Sequence, residues 1–391
     1  MLPGCGGSQL PMGAAYGMRA DTPLVRATYR VVYSFKGSGD GESPQPEAAP
    51  LALKNGLLYG TTSEGGGAGC FSLGCGTVFQ VTPLGSETVI YRFKGQPDGA
   101  FPSGSLINFN GLWYGMTSNG GANGYGAVFA VDNSGYEHIV YSFKGGLDGS
   151  LPFGRLIAYK GTLYGTTVNG GKTRLGTVFS VTPSGNETVL HTFRFHSDGA
   201  HPYAGLTALN GNLYGATIGG GTYNAGTVFS ISTSGKERVV YNFQYGTDGA
   251  APQAPLICIA GKLYGTTTDG GGQGYLGTVF EVSPSGAERV LHRFQNSIND
   301  GVSPQSALLD VNGTLYGTTD LGGRNYDGVV FALSKSGVER VLHNFKGGPR
   351  GKYPTGGLTV INGTLYGTTS NGGTGPCYGG QGCGSVFALT P

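Results

Sequence analysis

Six aspartates in this 391-residue chain each stand immediately before a glycine: Asp40, Asp98, Asp148, Asp198, Asp248 and Asp300. The matching position of a seventh segment holds Arg350, followed by Gly351. Carboxylates repeated in this way admit two readings. Asp-Gly is a turn-forming pair whose carboxylate bonds local backbone N–H groups. Gathered around one opening, the same carboxylates would offer oxygen ligands to a cation such as Ca²⁺, although no EF-hand or nonapeptide spacing accompanies them and no cofactor is expected. A second set is aromatic. Tyr125, Tyr223, Tyr275 and Tyr326 fall in glycine-rich stretches at positions that shift from copy to copy, the behaviour of surface residues. A tyrosine ring combines a flat apolar face with a polar tip, which suits sugar faces and protein ligands alike. The four tyrosines, Asp98, Asp148, Asp198, Asp248, Asp300 and Arg350 are the candidate ligand-binding residues.

Signatures of catalysis are sparse. The chain has no H-E-x-x-H, G-x-S-x-G or P-loop. His191, His292 and His343 occupy a slot that holds Tyr33, Tyr91, Tyr141 and Tyr241 elsewhere, and a slot that accepts either residue is read as packing. Glu87, Glu137, Glu187, Glu237, Glu288 and Glu339 follow short turns and are expected to be solvated hairpin residues. Glycoside chemistry needs a carboxylate pair about 5–10 Å apart with one member's proton affinity raised. Near-identical aspartates single out no such pair, and the clear break in symmetry is Arg350 with Lys352.

The six cysteines speak about compartment. Cys70 and Cys75 flank "FSLG", and Cys377 and Cys383 flank "YGGQG" in the equivalent loop of another repeat. Two small loop disulfides are expected, which require an oxidising compartment. The alternative is a four-cysteine zinc site, for which C-x4-C and C-x5-C are loose spacings. Cys258, in "PLICIAG", is expected to be a small unpaired core residue. Cys5, in "LPGCGGSQ", resembles a bacterial lipobox and is the candidate lipidation site. Only four residues precede it, with no charged or apolar leader among them, and the other reading is a tail with a free thiol.

What positions these residues is a repeat. The tyrosines of a "YGTT"-like motif, Tyr59, Tyr114, Tyr164, Tyr214, Tyr264, Tyr316 and Tyr366, recur at intervals of 50 to 55 residues, and a "VF" pair keeps step with them. Each copy reads as four short strands, A to D. In the third copy these are "RLIAYKG", "TLYGTT", "GTVFSVT" and "ETVLHTF", joined by tight Gly-containing turns between A and B and between C and D, and by longer loops elsewhere. Four antiparallel strands in about 50 residues is one β-propeller blade. The last copy lacks its D strand, and residues 28–35, "TYRVVYSF", carry that pattern ahead of the first copy. The expected fold is therefore an all-β seven-bladed propeller over residues 27–391, closed by its N-terminal strand, with residues 1–26 as a tail or tether.

Composition agrees with an all-β chain: 77 glycines at fixed offsets between β-branched and aromatic runs. A net charge of +2 without Lys/Arg clusters argues against nucleic-acid binding. No apolar run spans a membrane, so membrane association would pass through a lipid at Cys5 alone. A monomer is expected. The recurring pattern LYGTTxxGGxxxxGTVFxxxxxGxExVLyxFxGxxDGxxPxxxLixxxG resembles the GloVer tandem repeat of bacterial surface and secreted proteins over residues 28–391. That resemblance implies bacterial origin, export and, in related chains, a variable anchor; it implies no reaction. Kelch repeats share the diglycine, but here tyrosine precedes the glycines and Trp113 is the lone tryptophan. The expected function is a non-catalytic envelope or secreted protein that binds a glycan, a matrix polymer or a protein on its long-loop face. The alternative is an extracytoplasmic carbohydrate-active lyase or hydrolase with its site at the channel mouth.

Overall fold

Alternating apolar positions and tight turns make each repeat an antiparallel meander. In the third blade, strand A (Ser150–Tyr159) turns through Lys160 and Gly161 into strand B (Thr162–Asn169). Both turn residues have positive φ, 49° and 81°, the backbone that a two-residue hairpin demands. Strand C (Thr177–Val181) and strand D (Glu187–Thr192) complete the sheet. The computed structural model describes residues 27–44, 50–67, 69–70, 73–272, 274–295 and 297–391. Cys5 and the proposed 1–26 tail lie outside them.

Seven such sheets form a ring, a seven-bladed β-propeller. The closing blade takes strands Thr359–Ile361, Thr364–Thr369 and Ser385–Thr390 from the C-terminal repeat. Its fourth strand is Thr28–Ser34, paired antiparallel with Ser385–Thr390 so that Tyr29 faces Leu389 and Val31 faces Phe387. The chain begins in mid-repeat for this reason: a ring held by hydrogen bonds closes when its two ends share one sheet.

Strand A is innermost, and the A strands of six blades line a central channel of ≈ 680 Å³. The glycine of the "LYGTT" strand makes room within its own sheet. Gly165 pairs across the sheet with Phe179, and a Cβ there would sit 2.7 Å from Phe179 Cζ and 3.0 Å from Leu156 Cδ2. The same pairing recurs in every blade, from Gly60 with Phe79 to Gly367 with Phe387. Each of these strand C phenylalanines then meets, edge to face, the phenylalanine that ends strand D of the preceding blade. Phe143 meets Phe179 at 5.0 Å and Phe193 meets Phe229 at 5.1 Å between ring centroids. Phe35, just beyond the closing strand, supplies the contact with Phe79, so each of the seven junctions has its phenylalanine pair. Apolar burial between blades, concentrated in these rings, is what holds the disc together.

Candidate functional site

Between neighbouring blades the C–D turn of one docks on strand D of the one before. Gly185 lies so close to the Val140 carbonyl that a Cβ would meet its oxygen at 2.6 Å. This docking carries the glutamate two residues on, Glu187, into the junction, where it meets the Tyr141 hydroxyl and Asp148 of the preceding blade. Tyr141 itself donates to Asp148 Oδ1 at 2.9 Å, and the Lys144 backbone N–H donates to Asp148 Oδ2 at 2.7 Å. The arrangement repeats with Tyr33, Asp40 and Glu87, with Tyr91, Asp98 and Glu137, and with Tyr241, Asp248 and Glu288. Imidazoles replace the phenol in two junctions: His191 with Asp198 and Glu237, and His292 with Asp300 and Glu339.

Two expectations change here. The glutamates are not solvated hairpin residues: Oε1 of all six is buried and without a hydrogen-bond partner, because turn docking encloses it. Burial first, and the adjacent Asp carboxylate next, push Glu87, Glu137 and Glu288 up to about 7 and Glu187 to about 8. Nor do Asp98, Asp148, Asp198, Asp248 and Asp300 form a carboxylate-rich mouth. Each is bound to the ring of its own outermost strand and to the backbone N–H four or five residues before it. None lines the channel, whose described wall is largely apolar and contributes Arg155 and the single carboxylate Asp310.

The seventh junction is built from other residues. Arg350 takes the aspartate's place and Tyr29 the glutamate's. Tyr29 stacks on His343 at 3.9 Å, and its hydroxyl donates to the Arg350 carbonyl. Burial first, and then the Arg350 charge, hold His343 down at about 4, so its ring is neutral.

The long B–C and D–A loops leave the opposite face from the short turns. There Tyr125, Tyr223, Tyr275 and Tyr326 are between 48 and 58 % exposed. Each sits on a different blade. Tyr125 covers Gly145 of the adjoining D–A loop, where a Cβ would meet the ring at 2.8 Å. Tyr275 packs against Tyr245, with ring centroids 5.5 Å apart, and the pair borders a cleft of ≈ 590 Å³ together with Gly246, Gly272 and Gly274. Tyr245 is absent from the sequence-derived set; the signal was there, since Tyr245 and Phe195 place an aromatic where the "FKG" loops carry glycine. The proline-adjacent rings Phe101, Phe153, Tyr203 and Tyr353 are half-buried, and Phe153 and Tyr203 pack edge to face.

Both loop disulfides are present, Cys70–Cys75 and Cys377–Cys383, with Cα separations of 5.3 and 4.9 Å. Cys258 is disulfide-bonded as well rather than unpaired: it stands on an innermost strand, half-buried beside the channel instead of sealed in the core. No described helix is long and apolar enough to cross a membrane.

The Gloeobacter/Verrucomicrobia repeat matches residues 6–208 and 160–387. No curated protein matches the sequence. Among solved structures, a puromycin-hydrolyzing peptidase of Mycobacterium tuberculosis is similar with a TM-score of 0.53 and 10 % identity, over 93 % of this chain and 55 % of that one. A puromycin hydrolase is similar with a TM-score of 0.52 and 11 % identity, over 86 % and 52 %. A gluconolactonase of Xanthomonas campestris gives 0.44 and 13 %, over 94 % and 90 %. At such identities the likeness is one of fold alone.

Proposed function

The chain belongs to the Gloeobacter/Verrucomicrobia repeat family, and from that premise we propose that it is an exported, non-catalytic binding protein whose long-loop face takes a glycan, a matrix polymer or a surface protein. The observation that carries the reading is the Tyr245–Tyr275 pair, two half-exposed rings packed against each other at the border of an open, glycine-lined cleft. A sugar ring stacks on such a surface and hydrogen-bonds the phenolic tips. Tyr125, Tyr223 and Tyr326 present further rings on other blades of the same face, which suits a repeating polymer that gains affinity by contacting several at once. The disulfides support an oxidising, extracytoplasmic compartment. The Asp-Gly residues and Arg350 serve in this reading as the scaffold that fixes the loops.

A glycan array probed with the purified protein tests this. We expect binding to a polymeric saccharide that Tyr245→Ala with Tyr275→Ala weakens at least tenfold, and that alanine at Tyr125, Tyr223, Tyr275 and Tyr326 abolishes, with little change in Tm. Binding that survives both variants, or that is lost on altering the short C–D turns instead, overturns the face assignment.

A further inference from the structure

The junctions with an imidazole differ from the tyrosine junctions in what they can coordinate. We propose that two of them are sites for a divalent transition-metal ion of the Zn²⁺ type: His191, Asp198 and Glu237 hold one, and His292, Asp300 and Glu339 hold the other. In each triad the three ligand atoms lie within 4.8 Å of one another. His191 Nε2 is 3.0 Å from Asp198 Oδ2, and His292 Nε2 is 3.3 Å from both oxygens of Asp300. Nitrogen and oxygen ligands at about 2.0–2.2 Å from a tetrahedral Zn²⁺ stand about 3.3 Å apart, so these atoms need little movement to share one ion.

A plainer account has the imidazole N–H donate to aspartate as the phenol does. It explains the His–Asp contact and leaves Glu237 Oε1 and Glu339 Oε1 buried without a partner. At the tyrosine junctions the same oxygen is also unpartnered, but there the phenol's proton is committed to aspartate and no further ligand exists. An imidazole can instead give the Nε2 lone pair to an ion once that nitrogen has released its proton, and one nitrogen with two carboxylates suits a borderline divalent ion. Entry is open at the first site, where a groove of ≈ 660 Å³ between blades reaches His191 past Lys172 and Arg194. Charge separates the two. The Arg238 and Arg194 charges act on Glu237, whereas among the described residues Asp300 and His292 are the charges that act on Glu339, so the second site should bind more tightly. His343 is the control within the chain: it keeps the imidazole but has Tyr29 and Arg350 for neighbours in place of the two carboxylates, so it should bind no ion.

Equilibrium dialysis against Zn²⁺ with metal analysis, and titration with Co²⁺ followed by its visible absorption, read the sites directly. The native chain should take up two equivalents. His191→Tyr and His292→Tyr should each remove one, His292→Tyr the tighter, and His343→Tyr neither. Tyrosine is the residue that four other junctions already use, so these variants should keep the fold, which a thermal melt without metal checks. Glu339→Gln should weaken the tighter site at least tenfold at unchanged fold. Absence of saturable uptake by the native chain, or uptake unchanged in the His191→Tyr/His292→Tyr double variant, overturns the proposal.

Discussion

A glutamate whose charged form is enclosed beside another carboxylate costs least when it keeps its proton. Glu87, Glu137, Glu187 and Glu288 sit in that position, raised from 4.5 to about 7 or 8 in the folded chain. The folded state therefore holds protons that the unfolded chain has released, and their contribution is fully present below about pH 4.5 and lost as pH rises through 7 to 8. Melting followed by calorimetry should show Tm falling between pH 5 and pH 8. Changing these four residues to glutamine should flatten that slope and raise Tm at pH 8. A profile equally steep in the quadruple variant means the glutamates are ionised in the native state. A second residue-scale effect is steric. Gly165→Ala drives a methyl into the Phe179 ring and should destabilise by about 1–3 kcal/mol in urea unfolding. Ala in place of Gly161 shares the positive φ of its turn but meets nothing within 4 Å, so it isolates the backbone cost alone.

At the scale of strands and turns, the C–D turn is a docking device rather than a loose hairpin. Gly185→Ala should cost more than Gly161→Ala by about 1–3 kcal/mol, because its methyl meets the Val140 carbonyl of the preceding sheet. Equal losses in chemical denaturation would mean that the turn does not carry the junction. The strands themselves were legible in the sequence because their information is local: alternation, Gly-containing turns and a period. The junctions were not, because Tyr141, Asp148 and Glu187 belong to different blades and no short window contains all three. One signal was present. The loop that has Arg350 for its aspartate precedes, around the ring, the one D strand that has Tyr29 for its glutamate, so the two departures are a single change read at opposite ends of the chain. The aromatic cleft was half legible: Tyr275 stood out in its own loop, while Tyr245 needed the neighbouring blade to give it a partner.

For the whole molecule, closure decides stability. Each blade exposes strand edges that only the next strand covers, and the last edge is covered by Thr28–Ser34. Removing residues 1–36 should uncover Ser385–Thr390 and remove the Phe35 partner of Phe79, with loss of cooperative melting or aggregation in light scattering. A truncated chain that melts like the full one would refute closure by strand exchange. The native arrangement also imposes an order in time. A chain growing at about 5–20 residues per second exposes Thr28–Ser34 first and its partner last, so the earliest strand stays unpaired for tens of seconds. That segment, with Tyr29, Val31, Val32 and Tyr33, has the composition that assembles with copies of itself. Its one charge is Arg30, which in the finished ring binds the Pro83 carbonyl of the next blade and in the nascent chain keeps a sticky strand apart from its neighbours until the last blade arrives.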